Sequence, residues 1–360
     1  MWLIYEIDDL MDARYIPIFN RGREGFESPE IQNNIKYILN TVDMITVTTD
    51  YIKEAYHKYY DVPLEKIVAL PNMLPRFLFD DRYDKNKKLT QFKTNKAKPR
   101  IGIVSSLSHY NFTNVKLDNE GNICRVHTEK DENGKDIEVY KNSQGKIVNT
   151  NELNPIDDDM DLIIDCIRQT VNDFQWVIFG YAPPKLKDLI EKRKIEIHNS
   201  STIMNYPSRF DNLNLQAVVA PIQDIEFNRC KSFIKYMESA ALGVPLYASN
   251  SLPYNRIMPE RQLFNDGNDL KEKLLKLKFS SMGAYESIIE NQWKWLNSPC
   301  HEGDFDIKNF WLEDNKDIWI DLMQLRDKTV PGFVSIYRRK KMERDAQIIY
   351  SDNNGVEIRK

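Results

Sequence analysis

The chain is 360 residues long, more than one ordinary hydrophobic core organises, so two domains are expected. Its 50 lysines and arginines against 54 acids leave a net charge of −4, which excludes a global basic field drawing it to nucleic acid or anionic lipid. The four cysteines (Cys124, Cys166, Cys230 and Cys300) show no CxxC spacing, which argues against a zinc site or disulfide framework, and no apolar run reaches membrane-spanning length.

Met1–Leu10 carries Glu6, Asp8 and Asp9 and lacks the basic flank of a secretory signal, so a cytoplasmic location is expected. Trp2–Ile7 reads as a strand ending at Asp8-Asp9. Ile31, Ile35, Ile38, Leu39 and Val42 recur at helical spacing. Met44–Thr48 reads as a buried strand, Thr49 or Asp50 caps a helix to about Tyr60, and Lys66–Leu70 is a strand stopped by Pro71-Asn72. This alternation predicts parallel α/β structure. Lys85–Arg100 is polar and aperiodic and reads as a linker.

Ile101–Ser105 restarts the pattern as the first strand of a second domain. From Asn111 to about Asn154, turn signals at Gly121, Gly134 and Gly145 separate short alternating runs, which predicts an inserted β-hairpin or small meander. The helical stripe from Met160 to Val171, the strand Gln175–Gly180, a helix at Leu186–Ile190, the strand Ile195–His198, a short helix at Ser208–Leu215 and the strand Ala217–Pro221 follow. Beyond Tyr254 the chain reads as mostly helical, with Trp293, Trp295, Trp311 and Trp319 as packing anchors and Arg338–Lys341 as a solvated basic cluster. The expected division is 1–95, 96–300 with the insertion at about 111–154, and 301–360 as C-terminal helices and a polar tail.

The chemistry concentrates where the polar loop Glu226–Ser232 opens an amphipathic helix, Phe233–Leu242, ended by Gly243 and followed by a strand at Leu246–Ser249. A helix opening just after a strand presents unpaired N–H groups at the positive end of its dipole, a ready anion site. Arg229 and Lys231 flank it, Ser232 and nearby amides are its closest phosphate contacts, and Lys235 adds charge. Glu238, about two turns along, is placed to accept hydrogen bonds from a ribose. The combination points to a nucleotide diphosphate.

Two further sets stand at strand ends, where ligands of parallel sheets bind. Ser105, Ser106 and His109 follow the first strand of the second domain, either donating to a phosphate, with His109 a catalytic candidate, or closing a turn by local hydrogen bonds. Asp8-Asp9 either orients an acceptor hydroxyl or acts as its base, or caps the next helix. Asp157–Asp159 contains a D-x-D spacing, but before the Met160 helix acids favour the dipole, and no metal site is assigned.

Glu238 to Pro245 (Glu-Ser-Ala-Ala-Leu-Gly-Val-Pro) resembles the Glu-Ala-x-x-x-Gly-x-Pro signature of GT-B glycosyltransferases of the GT4 type, glycosyl transferases group 1. Val42–Thr49 and Lys66–Asn72 resemble two strand motifs of the same family. The resemblance implies two Rossmann-like parallel-sheet domains facing a cleft. It implies metal-independent and retaining transfer of a sugar from a nucleotide-diphosphate sugar, with no cofactor besides that donor. The acceptor it leaves open is a glycan or a modified DNA base. The Asn-, Asp- and Lys-rich composition resembles tailed-phage proteins, whose similar enzymes glycosylate DNA bases; a phage origin would put the chain in the host cytoplasm. Three departures stand out. Cys230 occupies the place of a second family Glu, the Ser105–His109 loop lacks the family's cations, and only three strands precede Pro71 where about six are usual. The first domain therefore reads as truncated, either reduced or completed by a partner chain or a lost segment. A nucleotide-sugar-binding or partner subunit without turnover, and a GT-B-like sugar epimerase, are the alternative functions.

Overall fold

Three short runs of aliphatic and β-branched residues form β1 (Ile4–Ile7), β2 (Met44–Val47) and β3 (Ile67–Ala69), which pair in parallel in that order. The computed structural model describes residues 3–20, 22–79, 82–324, 348–350 and 356–358. The helix Pro29–Thr41 joins β1 to β2, and the helix Asp50–Tyr60 joins β2 to β3. Thr49 starts the latter by accepting a hydrogen bond from the Ile52 amide at 3.3 Å. Strand alternation sends Ile45 and Val47 into a core with Ile35, Leu39 and Tyr56, while Met44 and Val68 join a second core that the C-terminal sheet shares. Among the described residues β1 is an edge strand, bonded to β2 alone.

The second sheet comprises β4 (Arg100–Ser105), β5 (Gln175–Gly180), β6 (Ile195–His198), β7 (Ala217–Ala220), β8 (Leu246–Ser249) and β9 (Leu263–Phe264). All six are parallel and lie in the order β6-β5-β4-β7-β8-β9. This is the doubly wound order, and its direction reverses between β4 and β7. Both faces are buried: Trp176 and Ile178 pack on one side, Val177 and Phe179 on the other. The reversal opens a crevice at the carboxyl ends of β4, β5 and β7, and the site lies there.

One stretch before β4 differs from the sequence expectation, and the insertion after β4 is β-structured as expected. Lys85–Thr94 is a helix, not a linker: Asp84 caps it by accepting from the Lys87 amide at 2.9 Å, Lys88 is buried on Asp211 at 2.6 Å, and Phe92 stacks on Tyr285. Long-range partners fix this segment, and its own polar, aperiodic sequence gives no hint of them. The segment after β4 forms a five-stranded antiparallel sheet built around the hairpin Ile123–Lys130/Asp136–Asn142. It buries a small core of Cys124, Tyr140 and Val148, and Arg125 reaches the first half of the chain through a 2.9 Å ion pair with Glu24.

Beyond β9 come the helices Gly267–Phe279 and Met282–Leu296, then a hairpin, Cys300–Glu302/Phe305–Ile307, where helix was expected. The tryptophans pack as anticipated: Trp295 lies 4.5 Å from Phe310, Trp293 stacks on Tyr83 at 4.3 Å, and Trp311 is buried. Arg338–Lys341 lies outside the described residues. Among those described, no helix is long and apolar enough to cross a membrane.

Candidate functional site

The helix Ile234–Ala241 begins after β7 and ends at Gly243, whose φ of +63° is the left-handed conformation that suits glycine. One face, with Tyr236, Met237, Ala240 and Ala241, enters the core. Lys235 and Glu238, three residues apart, share another face at the crevice. Together with Val104, Ser106, Phe179 and Tyr181 they line a cavity of about 290 Å³ at the ends of β4 and β5.

Glu238 Oε2 accepts from the Tyr206 hydroxyl at 2.9 Å. Burial pushes its carboxyl above the usual range, while Lys235 and Tyr206 pull it back. Lys235 Nζ donates to the Val104 carbonyl at 2.8 Å, at the end of β4. Burial lowers its pKa below the ordinary lysine range, which Glu238 opposes and Lys231 reinforces. The cavity thus holds an acid and a cation, each disfavoured in its charged form by the burial that keeps it in place.

His109 ends the 3₁₀ turn Leu107–His109 behind β4. Its Nδ1 lies 2.7 Å from Asp159 Oδ2. The amide of Gln223 and the side-chain amide of Asn228 also donate to that carboxylate, at 2.8 and 2.9 Å. The acid accepts, so Nδ1 carries the proton. Burial lowers the His109 pKa, Lys231 and Lys235 lower it further, and Asp159 opposes them. The charged imidazolium is thereby disfavoured.

A second cavity of about 420 Å³ opens at the carboxyl end of β1. Asp8, Asp9, Ser108 and Lys231 are among its lining residues. Lys231 Nζ bonds Asp9 Oδ1 at 3.2 Å across the two halves of the chain. Tyr56 donates to the Asp9 carbonyl at 2.9 Å and accepts from the Met11 amide, which fixes the turn after β1. No helix starts there; the next begins at Arg23, so the capping alternative for Asp8-Asp9 falls away. The two cavities adjoin: Ser108, in the second, is hydrogen-bonded at 2.6 Å to Ser106, in the first.

The expected site residues thus separate. Ser106, Lys235 and Glu238 meet in the first cavity, Asp8, Asp9 and Lys231 meet in the second, and His109 stands close to both lysines. Ser105 is the last residue of β4, and its side chain lies outside the described set. Arg229 lines neither cavity, and its guanidinium grips Asp224 at 2.7 and 2.9 Å. Ser232 likewise lines neither cavity, and its Oγ accepts from Asn72 at 2.8 Å. The loop expected before the helix contains a further short helix, Glu226–Arg229, which turns Arg229 outward toward Asp224. Cys230 packs in the core of the first sheet, where burial pushes its thiol up to about 12. Sequence reasoning missed Tyr206 and the role of Asp159. Asp159 lay inside an acidic run read as a cap, a part its neighbour Asp158 takes by accepting from the Met160 amide at 2.9 Å. Among the described residues no group of three or more His, Cys, Asp or Glu is arranged to hold a metal ion.

No protein-family model matches this chain, and no curated protein matches it. Solved structures do. HepE of Anabaena, in complex with UDP and glucose, overlays with a TM-score of 0.53 at 11% identity, covering 90% of this chain and 72% of HepE. HepE in complex with UDP-glucose gives the same values. A glycosyltransferase from Rickettsia africae overlays less well, with a TM-score of 0.43 at 13% identity, over 82% of this chain and 68% of its own. The likeness to HepE is one of fold: an α/β chain with parallel sheets.

Proposed function

We propose that the chain moves a sugar from a nucleotide-diphosphate sugar, bound in the Glu238 cavity, to a hydroxyl of an acceptor bound in the Asp8 cavity. One observation carries this reading: two cavities, one bearing a cation and a half-buried acid and the other bearing carboxylates, adjoin across Ser106 and Ser108. HepE, similar in fold, is known with UDP and UDP-glucose, which makes UDP-glucose the first donor to try.

In this reading Glu238, steadied by Tyr206, accepts hydrogen bonds from the ribose. Lys235 and the amides at the start of its helix face the diphosphate. As the bond from the anomeric carbon to the diphosphate oxygen breaks, charge builds on that oxygen, and fixed donors stabilise it. The anomeric carbon then bonds to the acceptor oxygen, whose proton is lost to the departing phosphate. Asp8 or Asp9 orients that hydroxyl, and His109, held by Asp159, stands beside the lysines as a further hydrogen-bonding group. Metal independence and retention of anomeric configuration belong to the same proposal and rest on the GT4 resemblance.

Released nucleotide, measured over a panel of nucleotide sugars with glycan or DNA acceptors present in turn, tests the proposal. Turnover with one donor–acceptor pair is expected. Lys235→Met should then lower kcat about 100-fold, the scale of losing one fixed oxyanion donor. Binding without release from any donor would instead favour a non-catalytic role.

A further inference from the structure

The cavity beside Asp8 is built unlike its neighbour. Its volume of about 420 Å³ falls in the range of small-molecule sites. Its inner wall is apolar: Ile7, Leu10 and Ile16 are 4%, 0% and 3% exposed, and Phe227 is buried beside them. Its rim carries the exposed carboxylates of Glu6, Asp8 and Asp9. Lys231 is the one cation among the described lining residues. Its ammonium lies 3.2 Å from Asp9 Oδ1 and 4.5 Å above the Phe227 ring, so its charge is met before a ligand arrives. Three carboxylates against one ammonium make the described lining acidic.

These features select a ligand. A phosphate entering the rim meets like charge in front of a low-dielectric wall, which strengthens the repulsion. Nucleic acid is held by cations that neutralise its phosphates, and among the described lining residues none is an unpaired cation. An apolar wall instead favours the C–H face of a sugar ring or an aryl or alkyl group. On the premise that the chain is a glycosyltransferase, we infer that its acceptor is an uncharged or amine-bearing hydroxyl compound with an apolar face. Nucleic acid and sugar phosphates are turned away at the Glu6–Asp9 rim.

Equilibrium binding to the full chain tests this, with p-nitrophenyl glycosides (uncharged), 2-aminoethyl glycosides (cationic), glucose 6-phosphate and a DNA duplex as probes. UDP binding is measured in parallel. At least one uncharged or cationic glycoside is expected to bind at millimolar concentration, with the phosphate and the duplex weaker by about tenfold. The variant Glu6→Gln, at a rim carboxylate that takes no part in orienting the acceptor, should bind glucose 6-phosphate about threefold more tightly than wild type and the uncharged glycoside within about twofold of it. Wild-type binding of glucose 6-phosphate or DNA as tight as that of the glycosides overturns the inference. So does failure of every glycoside to bind at millimolar concentration. Loss of UDP binding with glycoside selectivity intact would overturn the donor site alone; normal UDP binding with the wrong acceptor order overturns the acceptor alone.

Discussion

Burial disfavours the charged forms of both Glu238 and His109, and that fixes how substitution and pH act on them. Glu238→Gln keeps an acceptor for Tyr206 and removes a carboxylate that burial disfavours. It should raise the unfolding midpoint of the empty protein and weaken UDP binding about tenfold, the scale of a charge-assisted hydrogen bond. Calorimetry of unfolding and of binding, run on the same sample, reads both. His109 has a folded-state pKa below its unfolded value. The unfolded chain therefore binds more protons, and stability present above about pH 6.5 declines as pH falls through that range toward the lowered value. Lys231→Met removes one cause of the lowering, so the His109 titration followed by NMR should move to higher pH. A curve unchanged by that substitution would break the proposed link between the imidazole and the lysine.

At the scale of elements, the Ile234–Ala241 helix owes its position to its ends and its aromatic flank. Phe233, before its first turn, meets Trp295 and Phe310 edge-on at 5.8 and 5.7 Å. After the helix, a β-carbon on Gly243 would stand 2.8 Å from Tyr83 Cδ2 in a left-handed backbone conformation. Gly243→Ala should destabilise the chain by about 1–3 kcal/mol in urea unfolding. Glycine and the helical spacing before it were both readable, which is why Glu238 could be placed from sequence. All strands of the two sheets except β9, a two-residue strand in a stretch read as helical, were readable for a similar reason: buried parallel strands are short apolar runs between turn residues. What escaped was settled by distant partners. Lys88 is an interior residue only because Asp211 meets it, and a lysine-rich run carries no sign of that. Arg229 lies near a helix start, and its pairing with a carboxylate five residues back was not legible in the sequence. Asp159 meets His109 across the inserted sheet, 50 residues away in the chain, beyond any local pattern.

Across the whole molecule, the two halves are fastened at several points around the cavities. Glu226 receives the hydroxyls of Tyr51 and Tyr59 at 2.7 and 2.5 Å. Asp304 receives Lys53 at 2.7 Å and the Ala69 amide at 2.8 Å, and its own amide donates to the Ala69 carbonyl at 2.9 Å. Gly303 makes that approach possible, since a β-carbon there would lie 2.3 Å from the Ala69 oxygen. Glu226→Ala with Asp304→Ala strands these donors and should lower stability by about 2–6 kcal/mol. Hydrogen exchange should rise first in β1–β3, and uniform protection in the double variant would mean that the halves hold without these bonds. The Asp304 fastening also has a bearing on synthesis. The backbone groups of Ala69 wait for a residue 235 positions downstream. A ribosome therefore emits the opening sheet long before the piece that seals its far margin, and until then this margin offers N–H and C=O groups to any passing strand. The nascent chain's hazard is mispairing at β3, and shielding by a holding chaperone should matter most before codon 304 is translated.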